Sequence, residues 1–192
     1  IMLIAYGDDS SDAKKARVFA ASAIVGRQEE WDALEIKWRA VNGDRPFHAT
    51  DCESDGGNFR TTDHASNKKL YAANVGLLVN SPLMGAGVSI SIADYVELFP
   101  FAAADEWPYY LCFSGAISCA ADIGRLSIPP ERVKVTFDLN KDRDYSAARL
   151  YDFMVHHTEW ESAALLDDEI SFVDHRKKIG LQAADLLGSV LK

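Results

Sequence analysis

Short stretches of this chain carry side chains suited to chemistry, and most of those side chains are carboxylates. Asp8 and Asp9 directly follow the apolar run Met2-Leu3-Ile4-Ala5-Tyr6 and Gly7. Acids at the end of a strand are good ligands for a hard cation, because the sheet fixes their positions. The same Gly-Asp-Asp-Ser is also turn chemistry, since Asp and Ser bond their own backbone. Asp185 lies in "GLQAADLL". On a helix over 180–191, Leu181, Ala184, Gly188 and Leu191 form one stripe, with Asp185 beside it and Gln182 on its edge. A carboxylate on an apolar face must be paired, protonated or metal-bound. An ion pair or a cap to a neighbouring loop would satisfy it as well as a metal. Asp138 ends "VKVTFD" on the polar face of a strand. The "DLNKDRD" that begins with it resembles a calcium loop, with Asp138, Asn140 and Asp142 at positions 1, 3 and 5. Arg143 and Arg149 then stand where that loop needs Gly and Glu, which excludes an EF-hand. "PFHATDCES" holds His48, Asp51 and Glu53, a set able to bind metal or move protons, in a composition that also suits a plain loop.

These groups need a frame. Residues 2–6 and 17–25 read as strands, joined by a short acidic connection that reads as a hairpin. The spacing of Trp31, Leu34 and Trp38 predicts a helix over 28–41. Residues 42–64, rich in Gly, Asp, Asn and Thr, read as mostly loop, of a length that is usually functional or mobile. Helical spacing resumes over 64–79. Residues 83–92 alternate as a half-buried strand. Pro108 suits the first turn of a long helix, and "IPPERVKVTFD" reads as a loop entering a strand with Val133, Val135 and Phe137 on one face and Lys134, Thr136 and Asp138 on the other. A helix over 144–158, a short strand in "EISFVD" and the final helix complete the order. Alternating strands and helices in the second half predict a largely parallel sheet with helices packed on it. The first two strands predict an antiparallel hairpin at one side, and the whole reads as a single domain over 1–192.

Composition limits what this frame can be. The chain has 192 residues, 48% hydrophobic and 26% charged, enough for a substantial core. No stretch is long and apolar enough for a membrane span, and no secretory signal pattern is present. The net charge of −9 argues against a coat of non-specific nucleic-acid binding, but not against an enzyme whose acids hold cations. The three cysteines, Cys52, Cys112 and Cys119, form no CxxC pair. They suit buried reduced thiols in a cytoplasmic protein rather than a zinc ribbon or a disulfide framework. His156-His157-Thr158-Glu159 is not an HExxH motif, and no P-loop, GxGxxG or GxSxG occurs. "HRKKIG" at 175–180 is a basic cluster able to meet phosphate, or a solvated surface.

In order along nearly the whole chain, "YGDDSSD", "FHATD", "VTFD" and "GLQAADLL" resemble the motifs of the domain-of-unknown-function 3800 family, the last being the most specific. That family's first motif usually reads Asp-Glu-Ser-Gly, where this chain has Asp8-Asp9-Ser10-Ser11. The resemblance implies a ribonuclease H-like three-layer α/β fold with a mixed central sheet. It also implies a Mg²⁺- or Mn²⁺-dependent nuclease, in which clustered carboxylates hold cations that activate water and stabilise a leaving oxygen. On this reading Asp8, Asp138 and Asp185 are the metal ligands. Asp9, Asp51 or Glu53 supplies an optional fourth, and His48 orients a carboxylate or shuttles a proton. The substrate would be nucleic acid. The altered first motif and the acidic charge also suit a second reading. In it the chain is a non-catalytic binding or regulatory module on the same scaffold, with a protein partner in a defence or toxin-linked system.

Overall fold

The computed structural model describes residues 2–11, 17–101 and 107–192. The elements run in the order β1 (Met2–Ser11), β2 (Val18–Gly26), α1 (Gln28–Asn42), α2 (Ala49–Glu53), α3 (His64–Val79), β3 (Met84–Ser91), α4 (Ile92–Leu98), α5 (Trp107–Leu126), β4 (Arg132–Asp138), α6 (Asp144–His156), β5 (Ser171–Val173) and α7 (Ile179–Val190). Short 3-10 turns occur at Gly57–Phe59, Glu161–Leu165 and His175–Lys177.

The strands form one five-stranded sheet in the order β3-β2-β1-β4-β5. β1 pairs antiparallel with β2, and β2 antiparallel with β3; β1–β4 and β4–β5 are parallel. The expected hairpin and parallel half are therefore both present. The hairpin's first strand, however, is the central strand of the sheet rather than part of a side feature.

Two apolar clusters cover the two faces. One joins Leu3, Ala5, Val133, Val135 and Phe137 to α5 and α6 through residues such as Phe113, Ile117 and Tyr151. The other joins Ile4, Tyr6 and Ile24 to α1, α2 and α7 through Trp31, Trp38, Cys52 and Leu186, with Phe47 just before α2 packed among them. Along β1 successive side chains serve opposite clusters, as the period of a strand requires. The result is three layers, helices on each side of a mixed sheet.

Three expectations change. The acidic connection after Tyr6 is not a turn: β1 continues to Ser11, with Asp8 paired to Ser22 and Asp9 to Ala21. Asp12, the remaining acid of that stretch, lies outside the described residues. The loop over 42–64 contains α2, and the region after β3 contains α4, whose N-terminus is capped by Ser91 accepting from the Asp94 N–H. Cys52 and Cys112 are buried and free, as expected, while Cys119 is partly exposed and free.

Candidate active site

The site begins with the register of β1. Tyr6 pairs with Thr136, and Gly7 with Phe137, the last pair of the parallel ladder. One residue further along both strands stand Asp8 and Asp138. Thr136 and Asp138 share the less buried face of β4, as the alternation in the sequence predicted. Asp8 lies on the same sheet face as Ile4 and Tyr6, beneath α7. Asp9, its neighbour, points to the opposite face, where its charge acts on Tyr109 and Cys112 of α5. Strand geometry thus separates two acids that are adjacent in the chain.

Helix α7 supplies the third acid, and its motif explains how. Gly180, Ala184 and Gly188 fall four residues apart along the face turned to the sheet. A Cβ at Gly180 would sit inside the Tyr6 ring, and one at Gly188 would press on Ser10 and Ser22. Ser22 Oγ donates to the Ala184 carbonyl at 2.8 Å. Small residues therefore let α7 lie directly on β1 and β2. The polar residues of the motif face α1 and α2. Gln182 Oε1 accepts from Trp38 Nε1 at 3.1 Å and from the Phe47 N–H at 3.0 Å, while its Nε2 donates to the His175 carbonyl at 3.2 Å. Asp185 Oδ2 accepts the Ala49 N–H at 2.6 Å. The Phe47 and Ala49 amides are thus both clamped by α7, and His48 is presented between them.

His48 and His175 stack with ring centroids 5.4 Å apart. His48 Nε2 lies 4.0 Å from Asp185 Oδ1, and its Nδ1 lies 3.3 Å from Asp51 Oδ2. The second contact is not aligned as a hydrogen bond, so this buried nitrogen has no hydrogen-bond partner. Asp138 accepts from the His175 N–H at 2.7 Å, and its other oxygen lies 3.3 Å from His175 Nδ1. Asp8, Asp138 and Asp185 line one groove with His48 and His175.

Electrostatics follow from this crowding. Burial pushes the Asp8 carboxyl well above the ordinary carboxylate range, and the charges of Asp185, Asp9 and Asp138 push it the same way. The Asp9 N–H, donating at 2.8 Å, opposes them. Burial also raises Asp185, against the pull of His48 and of the Ala49 N–H. The bond to Asp138 holds the His175 imidazole above its usual value despite burial. Hard oxygen donors crowded until they resist ionisation are a chemically suitable set for Mg²⁺ or Mn²⁺. Among the described residues, no three His, Cys, Asp or Glu side chains are already grouped as a metal cage.

Of the residues singled out from sequence, the structure brings Asp8, Asp138, Asp185 and His48 to one groove. Asp51 lines the adjoining part, and Asp9 lines the same groove as Asp8 although its side chain points to the other face of the sheet. Glu53 is exposed and lines a different hollow, with Cys52, His64 and Tyr71. His175 was missed. Its signal was its place just after β5, whose Val173 is in register with Asp138 on the parallel neighbour.

No family model matches the chain, and no curated protein matches it. Solved structures do. The chain is similar to ribonuclease HII in its complex with PCNA from Archaeoglobus fulgidus, at 12% identity and a TM-score of 0.55, over 98% of this chain and 72% of that one. It is also similar to Bst-RNase HIII in complex with Mn²⁺, at 9% identity and a TM-score of 0.56, over 98% of this chain and 51% of that one. The chain thus spans about half the length of the latter protein. At such identities the likeness is one of fold, and the fold is ribonuclease H-like, as the motifs implied.

Proposed function

We propose that the chain is a divalent-metal-dependent nuclease in which Asp8, Asp138 and Asp185 hold Mg²⁺ or Mn²⁺. The observation that carries this reading is the convergence of those acids on one groove, from two adjacent strands, β1 and β4, and a helix laid across them. When bound, such cations supply a water of lowered pKa and stabilise charge on the leaving oxygen. The chain's own residues do the positioning. The β1–β4 ladder sets Asp8 beside Asp138, and His175 holds Asp138. Asp185 keeps one oxygen on the Ala49 amide and leaves the other toward His48. His48 is placed to orient Asp185 or to move a proton. Asp51, beside His48, and Asp9, in the same groove as Asp8, are the acids available as a fourth ligand. The A. fulgidus and Bst proteins with this fold are named as ribonucleases, in keeping with the reading.

The test is cleavage of labelled oligonucleotides in Mn²⁺ or Mg²⁺. Asp8→Asn and Asp185→Asn should each lower the rate by at least about 100-fold, since several kcal/mol of charge stabilisation depend on the ligands. Circular dichroism should stay native. Full activity in either variant sinks the reading. One observation favours the alternative of a non-catalytic binding module: Asp185 already caps α2 through Ala49, a structural use of its charge. Calorimetry separates the two readings, because absence of binding at millimolar Mg²⁺ and Mn²⁺ leaves only the structural use.

A further inference from the structure

The carboxylate groove does not end at its acids. It shares His48, Asp138, Lys141 and His175 with a wider groove of about 520 Å³, which continues past Asp51 and Asn58 to Pro46 and Arg176. Pro46 and Arg176 in turn border a shallow hollow between the end of α1 and the start of α7. Arg39, Arg45, Lys177 and Lys178 line that hollow, with Asp44 as the acid among them. The chain as a whole has 29 acids against 20 Lys and Arg, so this local excess of cations opposes the molecule's average.

The cations differ in availability. Arg176 is paired to Asp174, and Arg39 to Glu35 at 2.8 Å. Arg45 lies over the Phe59 ring at 5.3 Å. Lys177 and Lys178 are exposed and have no acid partner among the described residues. Trp38, the aromatic ring in the hollow, is buried and bonded to Gln182. The path therefore offers charge to phosphates and little exposed ring surface on which bases could stack.

We infer that a nucleic-acid strand entering the carboxylate groove continues along this path, with its phosphates held by Lys177, Lys178 and Arg45, and without sequence preference. This inference rests on the nuclease reading and adds to it the direction and chemistry of substrate binding.

The test uses fluorescence anisotropy with single-stranded oligonucleotides of thymidine or adenosine only, in Ca²⁺, across a salt series. Neutralising two phosphate contacts in the Lys177→Gln/Lys178→Gln variant should lower the slope of log affinity against log salt by about 1.4, at about 0.7 per contact. The two sequences should respond alike. Lys68→Gln/Lys69→Gln, on exposed positions of α3 outside the path, should leave the slope unchanged. Hydrolysis of bis(p-nitrophenyl) phosphate in Mn²⁺ should be the same in all three proteins. An unaltered slope in the Lys177/Lys178 variant, an equal change in both variants, or a strong base preference overturns the path. If labelled oligonucleotides are cleaved in Mn²⁺, such a result leaves the nuclease reading standing; failure to cleave them or to bind either strand removes both.

Discussion

Asp8 sits at 7% exposure with Asp185, Asp9 and Asp138 acting on it as like charges. A carboxyl whose folded pKa is raised stabilises the fold below its unfolded value, 3.8, and loses that stability as pH rises through the folded value. Without divalent cations, the ionised acid is thus a liability at neutral pH. Asp8→Asn removes the charge and leaves a polar group of similar shape. The variant should melt above the wild type at pH 7 in EDTA, by about 2–4 °C for each kcal/mol recovered. Its advantage should shrink as pH falls toward 3.8, where both side chains are neutral. Thermal melts over this pH range check the sign, and a variant less stable at neutral pH contradicts it. The same residue shows how far single positions could be read from sequence. Its chemical type was legible, and so was the need of Asp185 for a partner. Which of the adjacent acids faces α7 was not, because that depends on the register of a strand whose last residues look like a turn.

At the scale of elements, local preference and tertiary pairing disagree at the end of β1. Gly-Asp-Asp-Ser-Ser favours a turn, yet pairing with β2 continues through Ser11. Ladder bonds and burial on both faces override the local preference. The opposite holds for α7, where sequence pattern and structure agree. "GLQAADLL" was legible as a helix with a buried face, and its unusual composition has a contact for each part. Small residues face the sheet, while Gln182 and Asp185 face the "FHATD" segment. Most partners of those two side chains were not legible, because the Phe47 and Ala49 amides and the Trp38 ring N–H are distant in sequence. Gly180 tests the packing. On an exposed helix, Gly→Ala gains up to about 1 kcal/mol. Here the added methyl meets the Tyr6 ring, which is itself held edge-on against Trp31 at 4.8 Å. Gly180→Ala should therefore destabilise by about 1–3 kcal/mol, the usual cost of overpacking. Urea denaturation measures it, and a stabilised variant would show that α7 does not lie as close to β1 as described.

The whole molecule is acidic, with a net charge of −9, and it crowds part of that charge into one groove between its layers. Repulsion concentrated there weakens the folded state unless a cation compensates it. Binding of Mg²⁺ or Mn²⁺ to the native groove, and not to the unfolded chain, should then raise the melting temperature. At a concentration 100 times the dissociation constant the gain is about 2.7 kcal/mol. Because Asp8 and Asp185 both ionise less readily than ordinary carboxylates, binding must displace protons. The direction is fixed: affinity falls as pH drops, and protons are released when metal binds. Calorimetry in two buffers of different ionisation enthalpy reads that release directly. The wild type should show a buffer-dependent heat, and the proton release should grow as pH is lowered from neutrality toward the raised carboxyl values. Asp8→Asn should bind metal more weakly and release fewer protons, and it should gain less in melting temperature than the wild type. Equal metal-linked stabilisation in the two proteins would place the cation elsewhere in this acidic molecule.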